Sequence, residues 1–172
     1  MLVKLIDKSH SADINIPNQP FVMFGRFVVS YDGKWNFTTQ PFAPCKMTFP
    51  DENYDFDAMA SNTFFLGAYD GEKCVGLAVL KNDFFKYMYL YDLKVNADYR
   101  KQGVASLLVE SACTLALEKG YIGLYTQAQD NNLGACLFYT KCGFEIGGLN
   151  TRVYDGTKQF GKSDVFFYKR LR

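Results

Sequence analysis

The chain has 172 residues, 48% of them hydrophobic, which suits one globular domain with its own core and would cramp two. Its 19 Lys and Arg residues against 18 Asp and Glu leave a formal net charge of +1. That balance provides no global field for a polyanion and excludes a nucleic-acid binder held by bulk charge, though a local basic turn is still allowed.

The opening MLVKLIDKSHSADINIPNQP has a short apolar run without signal-peptide architecture, and no stretch approaches the length of a membrane span. The expectation is a soluble, cytoplasmic protein that uses no membrane. FVMFGRFVVSY (21–31) is β-rich, and Asp32-Gly33 followed by KWNFTTQPF predicts a hairpin. The stretch 43–61 carries two prolines and four acids, Asp51, Glu52, Asp55 and Asp57, and reads as loop with one short helix. A second hairpin is expected over 62–82 around Asp70-Gly71, and a further strand over 86–96.

The period then changes. Val104, Leu107, Leu108, Ser111, Ala112, Leu115 and Ala116 recur at helical spacing, and Lys119-Gly120 is a basic last turn with a glycine stop. A strand over 121–129, a helix over 131–143 and closing strands in FEIGGLNTRVY and SDVFFYKRL complete the chain. An antiparallel meander that runs into strand–helix–strand implies an α+β fold: a mixed, mostly antiparallel sheet with flanking helices.

Five cysteines without a C-x-x-C pair argue against a disulfide framework or a zinc site and are expected to be mostly small core residues. The single histidine, His10, gives a triad or a metal cluster little to work with, so no metal is expected.

Arg100, Lys101, Gln102, Gly103, Val104, Ala105 and Ser106 lead into the long helix. A helix start carries about four backbone N–H groups without internal partners and roughly half a positive charge, which suits phosphate. Gly103 and Ala105 keep side-chain bulk off those amides, while Arg100 and Lys101 add cationic charge. The bland alternative is that Gly103 only lets the helix pack close to a strand. The spacing is neither the dinucleotide fingerprint nor a P-loop.

LYDLKVNADYRKQGVASLLVESACTLALEKG resembles the acetyl-CoA-binding core of the GNAT N-acetyltransferase superfamily, whose [QR]-x-x-G-x-[GA] signature falls on Arg100, Gly103 and Ala105. NLGACLFYTKCGF is similar to the family's second motif, through Asn132, Ala135, Tyr139, Gly143 and Phe144. Outside that core, IPNQPFVMFGR, Lys34-Trp35 and QAQDNNLGACLFYTKCGFEIGGLNT resemble the streptothricin acetyltransferases. The resemblance implies a GNAT fold with an acetyl-CoA core over about 86–148; length and composition suit a single domain, 1–172, and leave monomer and homodimer both open. It implies acetyl-CoA as co-substrate and a small-molecule amine as acceptor.

By that resemblance, residues 100–106 cradle the pyrophosphate. Main-chain groups of Leu93 and Val95 hold the pantetheine arm and polarise the thioester. Asn132, with Ala135, reaches the pantetheine amide, unless Asn132 only caps its helix with Asp130 or Asn131 as rivals. Tyr139 is the candidate general acid, a phenol able to protonate the leaving thiolate, or else one more packed aromatic. Asp92 is an acid inside an apolar strand. It could take the amine proton through water, bind a cationic acceptor, or pair with Lys94. Simple alternation puts it on one face with Leu90 and Lys94.

A polyamine acceptor would suit a mouth built from Asp51, Glu52, Asp55, Asp57, Tyr54 and Trp35. Other readings are transfer to a protein N-terminus, a polyamine or a metabolite, and a coenzyme-A-binding module without turnover.

Overall fold

The structure, a computed structural model, describes residues 1–83 and 85–172. In chain order it contains β1 (Leu2–Leu5), a 3-10 stretch (Lys8–Asn15), β2 (Phe21–Tyr31), β3 (Trp35–Met47), α1 (Phe56–Met59), β4 (Thr63–Asp70), β5 (Lys73–Lys81) and β6 (Tyr87–Val95). A 3-10 turn (Ala97–Tyr99), α2 (Val104–Glu118), β7 (Gly123–Gln129), α3 (Leu133–Lys141), β8 (Glu145–Asn150) and β9 (Asp164–Arg170) follow. Two compact units result, one of residues 1–20, 48–124 and 171–172, the other of 21–47 and 125–170.

In the first unit β1, β4, β5 and β6 lie side by side in that order, each pair antiparallel. One face of this sheet is covered by α2, whose Val104, Leu108, Val109, Ala112, Leu115 and Ala116 are buried. A Cβ on Gly76 of β5 would lie 3.1 Å from both Leu108 Cδ1 and Val104 Cγ1, so the bare glycine lets the first turn of α2 sit close on the strand. The other face carries Phe65, Leu77 and Val79, packed with Ile6 and Ile14 and flanked by Tyr54, Phe56 and Met59. Each fully buried leucine on these faces contributes about 1.5–3 kcal/mol relative to an exposed one.

The strand β6 departs from simple alternation. Val79 pairs with Asp92 but Leu80 pairs with Leu90, so Tyr91 is an extra residue in a β-bulge. Leu90 therefore shares the α2 face with Leu80, and Asp92 shares the opposite face with Val79. The expectation that Leu90, Asp92 and Lys94 lie on one face is corrected: the bulge flips the side-chain period between Leu90 and Asp92.

In the second unit β2 and β3 form a long hairpin through Gly33, whose φ is +69°. Strand β3 runs to Met47, past the point where the prolines predict a loop. Pro41 pairs with Gly25 at the end of the regular ladder. Pro44 falls in the irregular stretch where residues 42–44 oppose Phe24. Phe27 stacks on Phe37 with centroids 4.1 Å apart and meets Phe167 of β9 at 5.8 Å. Gly25 admits the start of α3, since a Cβ there would be 2.6 Å from Leu133 Cδ2. In the same unit β9 lies between β7 and β8, and β8 and β9 are antiparallel.

Of the five cysteines only Cys136 is buried, so the expectation of mostly core thiols is corrected; Cys45 is exposed because the hairpin carries it on an open strand. Burial pushes the Cys136 thiol up to about 12. Among the described residues no helix is long and apolar enough to cross a membrane.

Candidate active site

The turn before α2 has the backbone that its sequence calls for. Gly103 is the N-cap residue with φ +85°, and Lys101 is also left-handed at φ +60°. Left-handed residues at these two positions make a tight turn directly ahead of the helix, the kind of backbone from which anion-binding concavities are built. The first N–H of the helix bonded to a carbonyl is that of Leu107, which donates to Gly103 O at 3.0 Å. The amides of Gly103, Val104, Ala105 and Ser106 donate to none of the described residues. No Cβ contact would form within 4 Å at Gly103, so its glycine answers to backbone conformation and outside access rather than internal crowding.

The turn is braced from below. Arg100, read from the sequence as part of the anion site's charge, donates from Nε to Val95 O (3.0 Å), from Nη1 to Pro20 O (2.6 Å) and from Nη2 to Gln19 O (3.3 Å). Gln102 donates to Asp98 O at 2.7 Å. Lys101 is exposed and ion-pairs with none of the described residues.

Strand β6 offers its main chain next to this turn. Asn96 N donates to Val75 O at 2.8 Å, one step beyond the Val95–Gly76 pair. Antiparallel pairs alternate between bonded and non-bonded, so Leu93 and Val95 fall in the non-bonded class and aim their peptide groups away from β5.

Asp92 lies in a compact polar cluster. Tyr54 OH donates to Asp92 Oδ2 at 3.1 Å. Lys94 Nζ lies 2.5 Å from Glu52 Oε2 and 3.4 Å from Asp92 Oδ2. Burial pushes the Asp92 carboxyl above its ordinary value and the nearby Glu52 carboxylate adds to this, against the pull of Lys94 and the Tyr54 hydrogen bond. Burial also acts on Glu52, but hydrogen bonds from Lys94 and Asn18 outweigh it and hold that carboxyl low. Desolvation, with Asp92 and Glu52 close by, pushes the Tyr54 phenol well above its usual range.

The acids of the 43–61 stretch part company. Asp51 accepts from Asn18 N at 2.6 Å, Asp55 caps α1 through Ala58 N at 3.1 Å, and Asp57 pairs with exposed Lys8 at 2.9 Å. Only Glu52, with Tyr54, reaches Asp92. Trp35 packs on Tyr31 across the hairpin, centroids 4.9 Å apart. Pairing Lys94 with Asp92 was legible from strand spacing. That Glu52 and Tyr54 join them was not, because about 40 residues of chain separate them and no local pattern encodes that return.

In the second unit Asn132 is the N-cap of α3, its Oδ1 accepting from Ala135 N at 3.2 Å, so of the rivals for that position Asn132 holds it. Tyr139 is buried, with its ring at 5.4 Å from Phe144 and 5.7 Å from Phe167. A second polar group escaped sequence reading altogether: Tyr154 OH donates to Asp164 at 2.7 Å and accepts from Gln129 Nε2 at 2.9 Å, beside buried Asp130. These residues carry no spacing that would have marked them. Among the described residues no group of His, Cys, Asp and Glu is placed to hold a metal ion.

An α+β fold with a mostly antiparallel sheet, flanking helices and a bare-amide turn ahead of its longest helix defines a coenzyme-dependent acyltransferase class, and residues 31–144 match the acetyltransferase (GNAT) family. The chain belongs to that family. It is 32% identical over 166 residues to streptothricin acetyltransferase A of Bacillus subtilis (strain 168), covering 92% of this chain and 94% of that protein. It is 26% identical to a streptothricin acetyltransferase of Escherichia coli, over 80% of this chain and 76% of the other.

In fold it is similar to a Bacillus anthracis str. Ames protein named as a streptothricin acetyltransferase and solved in complex with acetyl coenzyme A (TM-score 0.89, 24% identity, 98% of each chain). A nourseothricin acetyltransferase shares the fold at a TM-score of 0.81 and 22% identity, over 99% of this chain and 98% of that one.

Proposed function

We propose that this chain moves an acetyl group from acetyl-CoA to a primary amine of a streptothricin-like antibiotic. The observation that carries the coenzyme half is the turn at 101–106: two left-handed residues, four N–H groups without an acceptor among the described residues, and a helix seated by Gly76. The names of the relatives at 32% and 26% identity support the acceptor half.

The coenzyme supplies an acetyl group activated as a thioester. Amides of Gly103, Val104, Ala105 and Ser106 hold its diphosphate, with Lys101 as the adjacent cation and Arg100 and Gln102 keeping the turn in shape. Leu93 and Val95 offer main-chain groups to its arm, and Asn132 and Ala135 contribute from the start of α3.

An amine of pKa near 10 arrives protonated at neutral pH and must shed a proton before its nitrogen can attack. Asp92 receives that proton, through water. As the new C–N bond forms and the C–S bond breaks, Tyr139 gives a proton to the departing sulfur. The chain acts as one domain, 1–172, since neither compact unit is a contiguous piece of sequence. It works in the cytoplasm as a monomer or homodimer and needs no metal.

Acetyl-CoA-dependent thiol release with a panel of amines tests this. Release with streptothricin and none with spermidine or peptides is the expected result. Release with spermidine or a peptide alone would move the acceptor elsewhere. Coenzyme binding without release for any acceptor would make the chain a binding module.

A further inference from the structure

Asp92 is approached by a small and definable set of groups. The segment between β3 and β4 brings Tyr54 and Glu52, and its own strand brings Lys94 and Tyr91. The opposing β5 brings Val79, which is apolar. Two carboxylates therefore share one ammonium. Lys94 is the most enclosed of the three, its side chain 12% exposed against 19% for Asp92 and 27% for Glu52.

Both contacts to Asp92, from Tyr54 OH and Lys94 Nζ, fall on the same oxygen, Oδ2. The Asp92 side chain stays 19% exposed while these two groups hold it.

We propose that Glu52 and Lys94 are positioning residues for acetyl transfer: Glu52 anchors the Lys94 ammonium, and Lys94 and Tyr54 hold the Asp92 carboxylate in place for the acceptor's amino group. The inference rests on the reading of Asp92 as the group that takes the amine proton. Its logic is a shared cation. Lys94 stands nearer to Glu52 than to Asp92, so Asp92 keeps part of its proton affinity. With Glu52 neutral, Lys94 belongs to Asp92 alone, and the carboxylate becomes a poorer base. With Lys94 gone, Asp92 faces only burial and a like charge, and its proton is held more tightly.

The two substitutions must therefore act in opposite directions, which a merely structural role would not produce. The measurements are the acid limb of kcat/KM against pH, and the 13Cγ titration of Asp92 in the free enzyme, its resonance assigned by its absence in Asp92→Asn. Glu52→Gln, which keeps the shape of the side chain, is expected to move both midpoints down by about half to one pH unit. Lys94→Met is expected to move them up by a similar amount, and Lys94→Arg to stay near the parent.

Midpoints that do not move, or that move the same way in Glu52→Gln and Lys94→Met, overturn the proposal. If Lys94→Met does not fold, Glu52→Gln decides alone: no downward shift overturns it. Failure of the underlying reading looks different. Full turnover by Asp92→Asn would remove Asp92 as the proton acceptor, while the 13Cγ titration would still report whether Glu52 and Lys94 govern it. An inactive Asp92→Asn with an unmoved titration in Glu52→Gln would sink the positioning role alone.

Discussion

Two single substitutions test the proposed site directly. Gly103 stands at φ +85° with open space where a Cβ would go. Gly103→Ala should fold, at a cost of about 1–2 kcal/mol for an L side chain in the left-handed region. At this chain length about 1 kcal/mol corresponds to roughly 2–4 °C in Tm. The same change at Gly33, also left-handed and open, should cost a similar Tm. Calorimetry would separate them: only Gly103→Ala should weaken acetyl-CoA binding, by about tenfold or more, because an L side chain strains the left-handed turn that presents the amides. Equal coenzyme affinity in both variants would mean that the turn does not hold the diphosphate. Tyr139→Phe keeps the ring that packs on Phe144 and Phe167 and removes only the hydroxyl. Turnover should fall by about 100-fold with coenzyme affinity retained, read by thiol release and by titration calorimetry. Undiminished turnover would remove Tyr139 as the acid.

Among the elements, α3 poses a question that its sequence left open, because an asparagine before a helix can serve the helix or a ligand. The Asn132 side chain bonds Ala135 N, so Asn132→Ala should lose about 1 kcal/mol of stability. Asn132→Asp should recover that stability, since aspartate caps as well. If acetyl-CoA affinity returns together with Tm in the aspartate variant, capping is the whole role. If Tm returns and affinity does not, the amide itself contacts the coenzyme. The strand β6 makes a related point. Its Tyr-Leu-Tyr-Asp-Leu-Lys-Val pattern reads as clean alternation, yet the bulge at Tyr91 moves Asp92 to the face opposite Leu90. A one-residue slip reverses every later side chain, and nothing in the local sequence announces it. Helix α2, by contrast, starts and ends where its periodicity and its glycines place it.

For the molecule as a whole, coenzyme binding and folding are linked. A ligand held only by the native state at about 100 times its Kd adds about 2.7 kcal/mol, which at roughly 2–4 °C per kcal/mol is a rise of about 5–10 °C in Tm. A thermal scan with acetyl-CoA that shows no rise would contradict a preformed coenzyme site. The chain passes between its two compact units four times, so neither can be tested by simple truncation. What could be read without the fold was local: hairpin turns at Asp32-Gly33 and Asp70-Gly71, the helical period of α2, and a glycine where a helix start must leave its amides bare. These follow from backbone preference and from neighbours a few residues apart, and two motifs so encoded were enough to reveal the family. The convergence of Glu52 and Tyr54 on Asp92, the bracing of the turn by Arg100 through Gln19 and Pro20, and the pairing of Tyr154 with Asp164 were decided by tertiary structure. Each joins groups that no short-range preference relates, and their geometry exists only once packing on the two faces of the sheet has fixed where distant segments return.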